Sequence, residues 1–431
     1  MSPMIVLIVF VSVYILLMTE KWNRVLAAMA GGVAMLLIGA FPIEKALFTY
    51  IDWKTITLLF SMMLIVTLTS KTGFFEYIAI RFAQWVNGNG LALLTLFSLL
   101  AAVGSAFLAN VTIAMLLVPI LFKLTKLLEL PPIPFLIMTI LACNIGGTAT
   151  LIGDPPNMMI GQAVKHFTFN AFIENLLPVV LMVYVVTLLI MCVLYKEVLH
   201  VKEDRKLLLK GIKAEEYLKK DRGLLQSLFV LGLVLVGFSL YPMFHLDVTT
   251  VSLAGAVLLM LLLEKIYPPE SILKEVEWGT LFFFMGLFLL VGGIEEAGFI
   301  DEIAREILRL TDGDMKKTAF VILWGTGILS AIVDNIPFVA AMIPVIQEFG
   351  EFGMVNMDPL WWSLALGACL GGNGTLLGSS SNLVIAGLAS KEDVHIKFYQ
   401  YLLIGVPVTL ISLAVSTIYV YFKYIQPFLG G

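Results

Sequence analysis

Shifted by 225 residues, the chain falls onto itself. Trp53 meets Trp278, Thr55 meets Thr280, Gly73-Phe74 meets Gly298-Phe299, and Ser105-Ala106 meets Ser330-Ala331. The same register continues without a gap: Asn110 meets Asn335, Pro119 meets Pro344, Gly146-Gly147 meets Gly371-Gly372, Thr150 meets Thr375, Gly153 meets Gly378 and Asn157 meets Asn382. Chance does not hold one register that far, and an internal repeat constrains a fold more than any local propensity. The chain reads as a first repeat over 1–195, a charged linker over 196–225 and a second repeat over 226–431.

What fills each repeat is apolar. Of the 431 residues 60% are hydrophobic and 13% charged, and 15 of the charged ones crowd between Lys196 and Arg222. A water-soluble chain of this size needs more polar surface, so the repeats are read as lying in a lipid bilayer. At about 20 apolar residues per crossing, hydropathy and helix breakers predict crossings near 4–18, 24–40, 54–70, 134–165 (broken at 146–156) and 171–195, with an amphipathic piece over 75–86. The apolar stretch 91–122 is too long for one crossing and too short for two, so it reads as a re-entrant hairpin bent near Asn110. Five crossings per repeat is an odd number, so the repeats have inverted topology. The expected fold is an all-α polytopic membrane protein of about ten transmembrane helices plus two re-entrant hairpins. With the linker in the cytoplasm, 19 Lys and Arg fall on its side against eight on the other, as the positive-inside rule requires. Both termini are then outside, in what is read as a prokaryotic inner membrane.

Several functions are excluded. A net charge of −4 without basic clusters beyond the linker gives no footprint for nucleic acid. Cys143, Cys192 and Cys369 are too scattered for disulfides or structural zinc, and His166, His200, His245 and His395 lack metal-ligand spacing, so no metal site and no cofactor is expected. The apolar run 5–18 lacks a basic leader and a small-residue cleavage site, and is read as a retained first helix. No GxxxxGK[ST] loop occurs, so the chain encodes no ATPase of its own. Two intramembrane aspartates suggest an aspartyl protease, but Leu151 stands where the first glycine of a GxGD signature belongs, and proteolysis leaves the repeat unexplained. The chain is read as a non-enzyme.

The polar residues concentrate in two matched pairs of breaks. The first repeat holds Ala109-Asn110-Val111-Thr112 and the run from Gly146 through Thr148, Thr150 and Asp154 to Asn157; the second holds Asp334-Asn335-Ile336-Pro337 and the run from Gly371 through Asn373, Thr375, Ser379 and Ser380 to Asn382. Gly and Pro in an apolar span free backbone groups, at several kcal/mol per unsatisfied group in hydrocarbon. Such breaks persist where protein, water or a ligand completes their hydrogen bonds; half-helix N-termini suit anions, while carbonyls and Asn, Ser and Thr oxygens suit a small cation. Asn110, Thr112, Thr148, Thr150, Asp154, Asn157, Asp334, Asn335, Asn373, Thr375, Ser379, Ser380 and Asn382 are therefore the candidate substrate- or ion-binding residues. Carboxylates at membrane depth mark ion or proton pathways, which makes Asp154 and Asp334 the candidates for proton coupling. They are not repeat mates, since Asp154 aligns with Ser379 and Asp334 with Ala109. The breaks contain no arginine, the common clamp for carboxylate and phosphate, so a small, compact substrate is expected.

On Gly153-Asp154-Pro155-Pro156-Asn157, Asp334-Asn335-Ile336-Pro337-Phe338 and Gly371-Gly372-Asn373-Gly374-Thr375 through Asn382, the sequence resembles the ion transporter superfamily. Within it the likeness is to the group of arsenical-pump membrane proteins, sodium/proton antiporters and the P protein. The resemblance covers nearly the whole chain. It implies a scaffold domain, which often forms a homodimer, and a transport domain of hairpins and broken helices that moves as a body, an elevator mechanism. It also implies efflux of arsenite or antimonite driven by protons, or alternatively sodium/proton antiport or sodium-coupled anion or dicarboxylate transport. Some arsenical-pump relatives work with a separate ATPase subunit. Dicarboxylate carriers of the superfamily bear Ser-Asn-Thr at the hairpin tips; here the asparagines remain, at Asn110 and Asn335, and the serine is absent.

Overall fold

The structure, a computed structural model, describes residues 2–19, 21–219, 222–244 and 246–426. His245 lies outside the described residues. The described chain is helical, with no strand among the described residues. The first repeat runs α1 (Pro3–Thr19), α2 (Arg24–Leu37), the short α3 (Ile43–Lys45), α4 (Trp53–Ser70), α5 (Phe74–Trp85), α6 (Gly90–Phe107), α7 (Asn110–Leu128), α8 (Ile133–Gly147), α9 (Pro155–Ala163) and α10 (Phe169–Tyr195). The linker contributes α11 (Glu203–Lys210). The second repeat runs α12 (Arg222–Leu240), α13 (Val248–Leu263), α14 (Pro269–Leu273), α15 (Trp278–Glu296), α16 (Phe299–Thr311), α17 (Met315–Ile332), α18 (Asn335–Glu351), α19 (Asp358–Gly371), α20 (Ser380–Lys391) and α21 (Phe398–Val420). Under the 225-residue shift the bounds of α6 fall on those of α17.

Repeat mates also share their local chemistry. Hairpin entry is capped by Asn89, which accepts from the Ala92 amide (3.0 Å), and by its mate Asp314, which accepts from Lys317 (2.8 Å); such caps contribute about 1 kcal/mol each. Gly73 and Gly298 precede the amphipathic α5 and α16 with φ of 76° and 79°, a left-handed conformation that glycine adopts without strain.

Packing sorts the helices into two bundles. In the framework, α2 lies against α15 and α4 against α13, an exchange of partners between repeats. The second bundle holds the hairpins α6–α7 and α17–α18 with the broken helices α8–α9 and α19–α20; each hairpin's second arm packs on the second half of the other repeat's broken helix, α7 on α20 and α18 on α9. At its centre α8 is buried from Pro134 to Gly147 and α19 from Pro359 to Gly371, as helices that are apolar all round must be. Outward faces are apolar as well: Met182, Leu189 and Val193 on α10 and Leu225 and Phe229 on α12 are more than half exposed, a surface that calls for lipid.

Among the described residues, eight helices are long and apolar enough to cross a membrane: α4, α6, α7, α10, α12 with the turn that follows it, α15, α17, and α21 with its terminal turn. Three of these are hairpin arms. The shorter α1, α2 and α13 are predominantly apolar, and α8–α9 and α19–α20 each divide one crossing in two. The hairpins enter from opposite faces. The open end of α6–α7 meets the linker, where Glu129 pairs with Arg205. That of α17–α18 lies at the other face, where Asp358, just beyond it, meets His166 at 2.9 Å. The chain is thus a polytopic membrane protein of two inverted repeats.

Candidate substrate site

Close approach of backbones builds the centre. A Cβ on Gly146 would collide with the Ala102 backbone, and one on its mate Gly371 with that of Gly327, so α8 and α19 reach α6 and α17 because these positions have no side chain. Ser105 then donates to the Cys143 carbonyl (2.8 Å) and its mate Ser330 to Ala368 (2.7 Å).

Each break is tied by one asparagine. Asn157 Nδ2 donates to the carbonyls of Thr148 (3.0 Å) and Thr150 (2.9 Å), and Asn382 Nδ2 to those of Gly372 (2.8 Å) and Thr375 (3.0 Å). Thr150 and Thr375 hydroxyls donate to the Ala106 and Ala331 carbonyls, and Thr148 Oγ1 bonds back to Asn144. Four carbonyls freed by the breaks, those of Thr148, Thr150, Gly372 and Thr375, are therefore satisfied by protein side chains. Five of the expected site residues, Thr148, Thr150, Asn157, Thr375 and Asn382, have their side-chain donors committed to holding loops. Thr112 is half-buried on α7, away from the cavity described below.

Asn144, which sequence reasoning passed over, joins the repeats. Fully buried, it donates to Asn373 Oδ1 (2.9 Å) and Asn382 Oδ1 (3.0 Å) and accepts from Ser381 Oγ (3.3 Å). The carboxamide of Asn110 sits beside Ser105, with its nitrogen fitting the Cys143 and Gly153 carbonyls at 3.3 and 3.2 Å. Its oxygen then faces Asn144 Oδ1 at 3.4 Å. Two oxygens so placed suit a cation between them.

A cavity of about 50 Å³ lies where hairpin tips and breaks meet the framework. The hairpins and broken helices supply Asn110, Asp154, Asn335 and Ser379 through Ser381; the framework supplies Arg24 from α2 and Glu277 and Thr280 from the start of α15. Asp154 stands at the N-cap position of α9 without a side-chain cap: Pro155 and Pro156 have no N–H to offer, and the Asn157 amide donates to the Asp154 backbone carbonyl (3.0 Å). Its carboxylate accepts instead from Asn335 Nδ2 of the opposite hairpin at 3.2 Å. Asp334 does cap its helix, accepting from Ile336 N (3.2 Å), and also takes Ser380 Oγ (3.0 Å) and Arg24 Nη1 (3.3 Å). Glu277 and its mate Asp52 both accept from the hydroxyl three residues on, of Thr280 at 3.1 Å and Thr55 at 2.5 Å, but Asp52 also caps α4 through the amides of Lys54 and Thr55, whereas Glu277 makes no cap and borders the cavity.

The breaks carry no arginine, but the fold delivers one to them. Arg24, Glu277 and Asn144 stand foremost among the residues that sequence reasoning missed, which also include Thr280 and Ser381 on the cavity border. Of the first three, Asn144 alone left a local signal, a carboxamide in an apolar run two positions before Gly146. Arg24 and Glu277 sit at helix ends and are recognisable only once the framework is assembled.

Toward the linker face, Arg24, Phe283 and Ser380 also border an open vestibule of about 340 Å³ that includes Asp334, Leu377, Leu383 and Val384. Leu377, Leu383 and Val384 are half-buried there, whereas their repeat mates Ile152, Met158 and Met159 are 1%, 2% and 3% exposed. The two repeats are therefore packed differently against the framework, and the site is approached from the linker face. At the opposite face a separate cavity of about 290 Å³ is bordered by Asp52, Gln162 and Glu295.

Inverted repeats with paired hairpins around a buried polar site define a membrane transporter. The chain belongs to the citrate transporter family, which it matches over residues 14–367. An uncharacterized transporter of Mycobacterium tuberculosis is 36% identical over 422 residues, covering 96% of this chain and 97% of that protein. The 46 kDa membrane protein of Mycobacterium leprae is 35% identical over 428 residues, covering 98% and 99%. The P protein of Homo sapiens is 32% identical over 492 residues, covering 95% of this chain and 59% of that protein. Among solved structures, the Alcanivorax borkumensis YdaH transporter superposes with a TM-score of 0.59 at 12% identity, over 89% of this chain and 88% of that one, a likeness of fold.

Proposed function

We propose that the chain is a secondary active transporter that exchanges a small inorganic cation, sodium being the first candidate, against protons. The hairpins and broken helices would slide as one transport domain over the framework, which serves as scaffold. The observation that carries this reading is the cavity between the two bundles. At about 50 Å³ it has room for a small ion or a few waters, and its border holds two carboxyl groups and several Asn and Ser oxygens. Hard oxygen donors favour such cations. Asp154, held by Asn335, and Asp334, held by Arg24 and Ser380, are the proposed proton-coupling groups. The unequal burial of repeat mates supports sliding, since inverted repeats generate two opposite-facing states by exchanging conformations. The linker 196–225 would then face the cytoplasm of a prokaryotic inner membrane, with repeats over 1–195 and 226–431 on either side of it.

Arsenite efflux is the second reading. It is favoured by Cys369, a buried sulfur 3.6 Å from Asn157 Oδ1, because trivalent arsenic is a soft acceptor and its neutral hydroxide is compact. Citrate, the substrate in the family's name, is too large for the enclosed cavity as it stands. Sealed proteoliposomes holding the purified chain, with imposed proton or sodium gradients, test these readings. Saturable sodium flux driven by a pH gradient is the expected result. Arsenite movement without sodium movement would favour the second reading, and citrate movement would overturn both.

A further inference from the structure

Arg24 and Asp334 face each other across the sliding surface, one on framework helix α2 and one at the tip of the α17–α18 hairpin. Their side chains approach to 3.3 Å, with Arg24 41% and Asp334 16% exposed. Ser380 supports the carboxylate at 3.0 Å, and the guanidinium lies 5.6 Å from the centre of the Phe283 ring. Under the 225-residue shift these four positions become Thr249, Ala109, Pro155 and Leu58. The mates carry no charge. A state that faces the other way, made by exchanging the conformations of the repeats, therefore has no ion pair to put in this one's place.

A contact present in one of two states and absent from its counterpart shifts the balance between them by its own free energy. We propose that Arg24 is a latch: its ion pair with Asp334 stabilises the linker-facing state alone and must break before the hairpin tip can move. Arg24 is thus a positioning residue for the transport step, acting through Asp334. It also forms part of the wall between vestibule and inner cavity, since it borders both. Glu277 borders the inner cavity with it and remains as a counter-charge when Asp334 departs. This inference rests on the sliding motion proposed above.

The reporters are Val384→Cys and Met159→Cys, placed separately in the full chain with Cys192→Ser, in native-lipid vesicles, and labelled by a membrane-impermeant maleimide. Sliding toward the opposite face should bury position 384 and expose position 159, as their mates predict. In Arg24→Gln the labelling rate of Val384→Cys should fall, and that of Met159→Cys should rise, by at least about threefold, the scale of a partly exposed ion pair. Arg24→Lys should restore much of the original ratio, and Asp334→Asn should reproduce the shift, with the double variant adding little to either single one. The Asp334 variant keeps the test alive should Arg24→Gln fail to assemble. If imposed ion gradients move both reporters while Arg24→Gln and Asp334→Asn leave them unchanged, sliding stands and the latch falls. If no gradient moves either reporter, the sliding motion itself is refuted and the latch with it.

Discussion

Replacing Asn157 by alanine removes both hydrogen bonds that hold the first broken helix in register, those to the carbonyls of Thr148 and Thr150. Asn157 is fully buried, so a carbonyl left bare finds no solvent in exchange. Each orphaned buried acceptor costs about 1–3 kcal/mol, or about 2–6 kcal/mol for the two. Asn157→Asp keeps the shape but turns a carboxyl oxygen toward two carbonyls, and should fall at least as far. Asn382→Ala loses the matching pair to Gly372 and Thr375. It is expected to be somewhat milder, because the Thr375 carbonyl also accepts from Gly378 N at 3.3 Å. The assay is thermal unfolding of the detergent-purified chain followed by intrinsic fluorescence, with flux measured on the same preparations. A loss on the order of 5 °C in midpoint, with flux lost in parallel, is expected for Asn157→Ala. Were Asn157→Ala to keep its midpoint and lose flux alone, the asparagine would be a substrate ligand, and its assignment as a loop tie would be refuted.

Three further outcomes follow from the same geometry. Gly146→Val and Gly371→Val put side chains into the backbones of Ala102 and Gly327; at a cost of about 3 kcal/mol or more from overpacking, both should fail to give monodisperse protein by size-exclusion chromatography, whereas Gly387→Ala, exposed on α20 with nothing nearby, should remain monodisperse. Asp154→Asn and Asp334→Asn, assayed separately in proteoliposomes, should each lower pH-gradient-driven flux at least about tenfold if both carry coupling; full pH-dependent flux in both variants would remove them from that role. Glu277→Gln should change stability by less than about 1 kcal/mol, since its carboxylate accepts from the Thr280 hydroxyl and an amide oxygen can do the same, while weakening the apparent affinity for the transported cation in concentration-dependent flux.

The fold was largely legible in the sequence because the membrane allows few answers. A backbone in hydrocarbon must satisfy its own hydrogen bonds, so apolar runs became helices close to their expected bounds: the break expected at Asn110 separates α6 from α7, and the break at 146–156 separates α8 from α9. The candidate site was legible in part. Asn110, Asp154, Asn335, Ser379 and Ser380 meet at one cavity, because Gly, Pro and polar residues in an apolar span have few places to go. The same signal also drew in Thr148, Thr150, Asn157, Thr375 and Asn382. A residue that ties a loop and one that faces a substrate leave the same mark in a sequence, a polar group beside a break.

What the sequence determined by itself is the repeat, its inversion and the location of the breaks, since each follows from a register and from the cost of unpaired backbone in lipid. Tertiary structure decided which polar groups face one another. Asn144 reaches Asn373 and Asn382 across more than 200 residues of chain, and Arg24 reaches Asp334 across 310. Such pairs have no periodicity to betray them, because they arise where two bundles meet and not along any one helix. The unequal burial of repeat mates, with Met158 and Met159 buried and Leu383 and Val384 half-exposed, is likewise invisible in a sequence: the repeats share one register, and only their contacts with the framework distinguish them.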